Sequence, residues 1–231
     1  MNKINTAFVG CGRVAFHHKD MIQSLSEYNV KAVCDLNENK AIDLSKEFNC
    51  KVYKNYREML MSEDLDLLIL ATPTGAHYYH AIDILDTKPV NILLEKPMVL
   101  NVSHGLELHE KAKSLGVNIF PVYQNRFNKA VQFVKNAIEA NELGEIRLAT
   151  VRVRWCRPQR YYDLASWRGT YSMDGGAYVN QGIHFIDILR FLGGEVAEAN
   201  SSFGRLGANP EAEDTGLSML KFKNGAMGAI E

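Results

Sequence analysis

A glycine-rich turn near the start of the chain has the spacing of a dinucleotide-binding site. Gly10, Gly12 and Ala15 follow a short apolar run, residues 4–9, and open a helical pattern. The first glycine permits a tight turn, the second lets the backbone approach a pyrophosphate, and a small third residue lets helix and strand pack closely. Because the start of a helix also attracts phosphates, the pattern favours a phosphate-binding turn over a merely structural one.

Asp35 closes the next predicted strand, residues 30–34. Its carboxylate can accept hydrogen bonds from the adenine ribose hydroxyls of a dinucleotide. The residues that follow, Leu36 and Asn37, supply no arginine for a 2′-phosphate. We therefore expect NAD rather than NADP as the cofactor.

Two segments follow later strand patterns. Thr72 and Pro73 come after residues 65–70, and the stretch Glu95-Lys96-Pro97 comes after residues 90–94. Ligands of such sheets bind beyond the carboxyl ends of the strands, so both segments can reach a bound cofactor. Lys96 can donate to a substrate hydroxyl or transfer a proton. The alternatives are a loop with a helix-capping threonine and a surface lysine beside a glutamate.

His184 is the candidate base in the second half of the chain. An imidazole serves this role near neutral pH, and on an α-helix Asn180 would share its face. A buried structural histidine is the alternative. His77 and His80 are spaced as a metal pair would be, but the sequence shows no third ligand beside them, and we expect no metal site.

A basic, aromatic segment spans residues 152–170. Its single acid is Asp163, against five arginines: Arg152, Arg154, Arg157, Arg160 and Arg168. Guanidinium groups suit phosphates and carboxylates, and aromatic faces suit bases or sugars. Nucleic acid is the rival ligand, but it needs a wider basic surface than a chain of this composition offers.

The composition is that of a soluble globular protein. The chain has 231 residues, 46% hydrophobic and 23% charged, with a net charge of -1. It contains no apolar run long enough to span a bilayer and no signal segment. Its four cysteines form no Cys-x-x-Cys pair, so we expect reduced thiols. We expect a cytoplasmic protein that binds neither membranes nor nucleic acid.

Strand and helix patterns alternate up to about residue 121, which predicts a Rossmann-type parallel sheet with helices on both faces. Residues 122–231 predict an α+β domain with an open, mostly antiparallel sheet. The Asn224-Gly225 turn leads into a last apolar strand, residues 226–230. That strand would be an unpaired edge. We therefore expect further strands to be missing, and self-association or aggregation.

Several of these motifs together resemble the Gfo/Idh/MocA oxidoreductases: Gly10-Cys11-Gly12, Thr72-Pro73, Glu95-Lys96-Pro97 and a Gly-Gly segment that ends at His184. Further strings resemble the UDP-N-acetylglucosaminuronic acid 3-dehydrogenases of the WlbA/WbpB type within that family: Gln124 to Phe127, Trp167 to Thr170, and Asp174 to Ala177 with Asn180-Gln181. Many family members have an aspartate where this chain has Asn180, which argues against a proton relay through a carboxylate there.

The resemblance implies that residues 122–231 serve substrate binding and oligomerisation, and it implies a set of site residues. Cofactor contacts are expected from Gly10, Gly12, Arg13, Val14, Asp35, Thr72, Pro73, His77, Glu95, Lys96 and Gln124. Substrate contacts are expected from Lys96, Arg126, Arg168, Asn180 and His184, with Lys96 and His184 catalytic.

The resemblance therefore implies an NAD-dependent dehydrogenase that acts on the C3 hydroxyl of a UDP-sugar uronate in surface polysaccharide synthesis, as a homodimer or homotetramer. A dehydrogenase of a free sugar or cyclitol is the alternative. A non-catalytic NAD-sensing module is a third reading, which the presence of both Lys96 and His184 disfavours.

Overall fold

The computed structural model describes residues 3–231 and contains two compact units, one ending at Val122 and the other beginning at Tyr123. Within the described residues, no helix is long and apolar enough to cross a membrane.

Strands and helices alternate along the first unit. In chain order they are β1 (Ile4–Val9), α1 (Arg13–Gln23), β2 (Tyr28–Cys34), α2 (Glu38–Phe48), β3 (Lys51–Tyr53), α3 (Tyr56–Ser62), β4 (Leu67–Leu70), α4 (His77–Thr87), β5 (Asn91–Leu94), α5 (Val102–Ser114) and β6 (Ile119–Pro121). The short elements β3 and α3 were not predicted. Asparagine is a favoured helix N-cap, and at the start of α2 the Asn37 side chain accepts a hydrogen bond from the Lys40 N–H at 3.3 Å.

The six strands form one parallel sheet in the order β3-β2-β1-β4-β5-β6. Both of its faces are buried. Leu68 and Leu70 of β4 belong to one core cluster, and Ile69 joins Phe8 and Val33 in another. A strand covered on both sides reads as a continuous apolar run, which is why these strands were recognisable. The strand order reverses between β1 and β4, where doubly wound sheets bind ligands.

The second unit contains a four-stranded sheet. Its elements are α6 (Lys129–Glu139), β7 (Leu148–Val151), α7 (Gln159–Tyr162), α8 (Ile183–Gly193), β8 (Val196–Gly204), β9 (Thr215–Phe222) and β10 (Met227–Ile230). The strand order is β7-β10-β9-β8, with β10 parallel to β7 and the other pairs antiparallel. The predicted open, mostly antiparallel sheet is therefore confirmed.

The expectation that the last strand is an unpaired edge is wrong. β10 lies inside the sheet, because β7 pairs with it on the side away from β9. One face of the sheet packs on α8 through a core that includes Leu189, Phe222 and Ile230. The other face leaves large apolar side chains exposed: Leu148, Leu217, Met219 and Met227.

Candidate active site

The two glycines of the first turn have different tasks. Gly10 has a φ of +94°, and a Cβ there would lie 2.5 Å from the carbonyl oxygen of Ala71. It therefore allows the turn to pass close to the end of β4. A Cβ on Gly12 would meet nothing within 4 Å. Because Gly12 is also the N-cap of α1, open space adjoins the helix N-terminus, as a pyrophosphate requires.

Asp35 is held at the end of β2 by two backbone hydrogen bonds. Its Oδ2 accepts from the Cys11 N–H at 2.8 Å, and its Oδ1 accepts from the Asn37 N–H at 2.7 Å. Each carboxylate oxygen has a second lone pair for a ribose hydroxyl. The neighbouring Leu36 is 85% exposed. The residues present therefore fit the adenosine half of NAD.

His77 lies inside the protein, with 1% of its surface exposed. Its Nδ1 is 2.8 Å from the carbonyl oxygen of Pro97, and its Nε2 is 2.8 Å from that of Thr72. Burial lowers the pKa of the imidazole, against the effect of these two carbonyl groups. The contacts favour a role in tying together the loops after β4 and β5, rather than the direct cofactor contact expected for His77.

Glu95 follows β5 and is paired with His18, a residue that no local sequence pattern indicates. The His18 Nε2 lies 2.7 Å from Oε1 of Glu95, and Oε2 accepts from the Lys96 N–H at 3.1 Å. Burial by itself raises the pKa of the carboxyl group, but the hydrogen bond from His18 and the nearby positive charge outweigh it, and the pKa lies below its ordinary value. The carboxylate therefore stays charged beside the Lys96 backbone.

The remaining candidates of the first unit surround the same strand ends. Arg13 and Val14 are exposed in the first turn of α1, and Thr72 and Pro73 follow β4. Among residues 3–231, no three His, Cys, Asp or Glu side chains are arranged to hold a metal ion.

In the second unit, His184 is the second residue of α8. The ring of Tyr123 approaches it edge-on, with 6.5 Å between ring centroids. Burial, and then Asp187, raise the pKa of Tyr123, so its hydroxyl keeps its proton. The segment before α8, Tyr178–Gly182, is π-helical rather than α-helical as predicted.

Arg126 is engaged within the second unit. Its Nε and Nη2 donate to the two carboxylate oxygens of Asp187 at 2.7 and 2.5 Å. The guanidinium group also lies 5.2 Å from the ring centroid of Phe191. These contacts favour a structural role over the substrate contact expected for Arg126. Gln124, a predicted cofactor ligand, is exposed in a short 3₁₀ turn.

Two arginines of the basic segment pack on one tyrosine. The guanidinium carbons of Arg157 and Arg168 lie 4.7 and 4.6 Å from the ring centroid of Tyr161. Arg168 also donates to the Tyr161 hydroxyl at 2.7 Å, and Trp167 lies beneath it at 4.8 Å. The Nε atoms of both arginines are buried without a hydrogen-bond partner in the described part of the chain. This cluster can donate to an anion.

The fold and these residues define a class: a Rossmann domain with a dinucleotide-binding turn, followed by an α+β domain with an open sheet. Residues 4–123 match the family model "Oxidoreductase family, NAD-binding Rossmann fold", and residues 131–231 match the GFO/IDH/MocA C-terminal domain. The chain belongs to the Gfo/Idh/MocA family of NAD-binding oxidoreductases. The expected family and cofactor are confirmed, as is the class of dehydrogenases acting on CH–OH groups.

Two solved structures are particularly similar. The WlbA dehydrogenase from Bordetella pertussis, in complex with NADH and UDP-GlcNAcA, is 36% identical with a TM-score of 0.95, over 99% of this chain and 66% of that one. The WlbA dehydrogenase from Chromobacterium violaceum, in the same type of complex, is 35% identical with a TM-score of 0.95, over 100% and 67%.

Curated relatives include other dehydrogenases. The scyllo-inositol 2-dehydrogenase (NAD(+)) of Bacillus subtilis is 26% identical over 100% of this chain and 67% of its own length. The myo-inositol 2-dehydrogenase of Thermotoga maritima is 23% identical over 96% and 66%. The chain thus spans about two thirds of the length of these relatives.

Proposed function

We propose that this chain oxidises the C3 hydroxyl of a UDP-sugar uronate, UDP-2-acetamido-2-deoxy-glucuronate, with NAD as the hydride acceptor. The identity to the two WlbA chains, 36% and 35%, exceeds the 23% and 26% to the inositol dehydrogenases. Both WlbA structures contain UDP-GlcNAcA. The proposed setting is surface polysaccharide synthesis in the cytoplasm.

The observation that carries the proposal is the arginine pair on Tyr161. Arg157 and Arg168 each bury an Nε donor that has no acceptor among residues 3–231. A UDP-uronate offers a diphosphate and a carboxylate, which bind guanidinium groups through charge-assisted hydrogen bonds. A free sugar or cyclitol offers only neutral hydroxyl oxygens, which bind guanidinium groups more weakly than anionic oxygens do. The cluster therefore favours the nucleotide sugar over the cyclitol alternative.

Alcohol oxidation needs a proton acceptor as the hydride leaves, and bound NAD supplies the hydride acceptor. We assign His184 as the base and Lys96 as the donor to the substrate oxygen; the reverse assignment is the alternative. Asn180 cannot ionise, so it can orient a group but cannot take the proton. A base of this kind contributes about 10²–10⁴-fold. Lys96→Met and His184→Ala should each lower kcat by about that factor and leave NAD affinity nearly unchanged.

The anion site is tested by Arg168→Ala, with the exposed Arg160→Ala as the matched control. Loss of a desolvated charge-assisted pair costs about 2–5 kcal/mol. We therefore expect Arg168→Ala to raise KM for the UDP-uronate sharply and to leave the Kd for NAD unchanged, while Arg160→Ala behaves as the wild type. Unchanged kinetics in Arg168→Ala would remove Arg168 from the site.

We also propose self-association, as a homodimer or homotetramer, through the exposed face of the second sheet. Its support is the set of exposed apolar side chains on β7, β9 and β10, which include Met219 and Met227. Exposed apolar surface of this kind marks interaction sites. Light scattering at high protein concentration should give a mass above that of one chain, and replacing Met219 by lysine should lower it. A monomer would contradict the proposal.

A further inference from the structure

Asp174 is a buried acid, 1% exposed. Neither the cofactor contacts nor the anion contacts described above involve its side chain. Its Oδ2 accepts a hydrogen bond from the Gly169 N–H at 2.6 Å. Its Oδ1 accepts from the side-chain amide nitrogen of Asn180. One carboxylate therefore connects a tight turn, in which Gly169 has a φ of +68°, to the π-helical segment that precedes His184.

This contact fixes the direction of the Asn180 amide. An ionised carboxylate only accepts hydrogen bonds, so Asn180 must turn its NH₂ group toward Asp174. The two ends of an amide are otherwise hard to tell apart, but here the partner decides. Because Oδ1 and Nδ2 are attached to the same planar carbon, the amide oxygen is directed away from Asp174. The amide oxygen that faces away from Asp174 is an acceptor.

Asp174 is not needed to hold the start of the π-helical segment. Glu213 already does this: its carbonyl oxygen accepts from the Ala177 N–H at 2.9 Å, and its Oε1 accepts from the Tyr178 N–H at 3.2 Å. The contact of Asp174 with that segment is instead made to the Asn180 side chain. Short π-helical segments also occur often at functional sites.

We propose that Asp174 is a positioning residue for the dehydrogenation. It orients Asn180 so that the amide oxygen accepts a hydrogen bond from a hydroxyl of the substrate, beside the base His184. The inference rests on the proposed function, since it assumes that Asn180 and His184 belong to the reacting site. The new element is Asp174, which determines which end of the Asn180 amide faces the substrate.

The pairing makes a reciprocal exchange informative. In Asp174→Asn alone, the new amide uses its oxygen for the Gly169 N–H, so its NH₂ faces the NH₂ of Asn180 and forces that amide to turn. In Asn180→Asp alone, two carboxylates face each other. In the double exchange, the new amide at 174 accepts from Gly169 and donates to the new carboxylate at 180. An acceptor oxygen again faces away from position 174.

We therefore expect each single variant to lower kcat by about 10- to 100-fold, the effect of losing one hydrogen bond to a charged group. The Kd for NAD should stay unchanged. The double exchange should return kcat to within about fivefold of the wild type, because both hydrogen bonds are restored. Asp163→Asn, which changes an exposed aspartate in the same region, is the control and should leave kcat unaltered.

Thermal unfolding without substrate supplies a readout that does not depend on the reaction. Both single variants should unfold at lower temperature than the double exchange, as a direct pairing requires. Additive effects of the two substitutions on the unfolding temperature would overturn the pairing, whatever the substrate.

Kinetics are measured on the compound that gives the most NADH in a series of UDP-sugars and cyclitols. If a cyclitol gives the most NADH, the proposed function is overturned but the pairing of Asp174 with Asn180 is not. Coupled stability together with unchanged kcat in the single variants would reduce Asp174 to a structural residue.

Discussion

The Nδ1 atom of His77 lies 2.8 Å from the carbonyl oxygen of Pro97, while its Nε2 lies equally close to the carbonyl oxygen of Thr72. A neutral imidazole has one N–H and an imidazolium has two, so only the charged form can donate to both carbonyl groups. Burial has the larger effect and keeps the pKa of His77 lowered. The neutral ring therefore joins the loops after β4 and β5 with one donor.

This burial predicts a pH dependence of stability. Because the pKa of His77 is lower in the folded protein than in the unfolded chain, stability is full above the ordinary value of about 6.5 and decreases as the pH falls toward the folded value. One proton corresponds to at most about 1.4 kcal/mol per pH unit. His77→Gln should reduce the slope of Tm against pH between about pH 7 and 5.

The neighbouring His80, whose pKa burial also lowers, keeps its own contribution in that variant. The slope of Tm against pH should therefore decrease by no more than the contribution of one titrating group. Replacing the exposed His109 by glutamine is the control and should leave the slope unaltered. Equal slopes in the wild type and His77→Gln would show that His77 does not contribute to the pH dependence of stability.

Gly10 and Gly12 should respond to alanine in opposite ways. A methyl group at Gly10 would meet the Ala71 carbonyl oxygen at 2.5 Å on a backbone with positive φ. Such strain costs at least about 1–3 kcal/mol, so Tm should fall. Gly12→Ala should keep the wild-type Tm, because the added methyl meets no protein atom, but weaken NAD binding by about tenfold or more. The opposite pattern in calorimetry and NAD titration would contradict these assignments.

Asp35 should set the preference for NAD over NADP. A 2′-phosphate would lie against its carboxylate, and no arginine follows in Leu36 or Asn37. Asp35→Ala combined with Leu36→Arg should bring the two dissociation constants within about tenfold of each other. Leu36→Arg alone controls for the added charge and should change the ratio less. Equal affinity of the wild type for both cofactors would refute the role of Asp35.

His18 should support the Glu95 carboxylate. Removing this partner with phenylalanine leaves a buried acceptor unsatisfied, at a cost of about 1–3 kcal/mol, so His18→Phe should lower Tm. His18→Gln keeps a donor and should retain most of the stability. His17→Phe, at the adjacent exposed position, is the matched control. Equal effects of phenylalanine at positions 17 and 18 would count against the pairing.

The sequence predicted the features that depend on neighbouring residues. The strand β1, the Gly10 turn and the Asn37 cap are read within a few positions, because local hydrogen bonds and apolar runs define them. The prediction that β10 is an unpaired edge strand was wrong, because its partner β7 lies far away in the chain and pairs with it in parallel. No local signal reports such a partner.

The candidate site shows the same limit. Glu95 and Lys96 stood out by following a strand, but His18 is 77 positions from Glu95 and was not identified as its partner. Asp174 and Asn180 are only 6 positions apart, yet their contact depends on a π-helical segment that an α-helical reading misplaces. The signal available in the sequence was an acid, Asp174, directly before the glycine pair that leads to Asn180.

The central claim is the identity of the substrate, and NADH formation measures it directly. The wild-type chain is compared on three compounds. They are UDP-N-acetylglucosaminuronic acid, UDP-N-acetylglucosamine, which has a hydroxymethyl group in place of the carboxylate, and scyllo-inositol, an uncharged cyclitol without a nucleotide. We expect kcat/KM for the uronate to exceed that for either alternative by at least about 100-fold, as loss of a charge-assisted contact to the arginine cluster implies. Equal or faster NADH formation with scyllo-inositol would contradict the account.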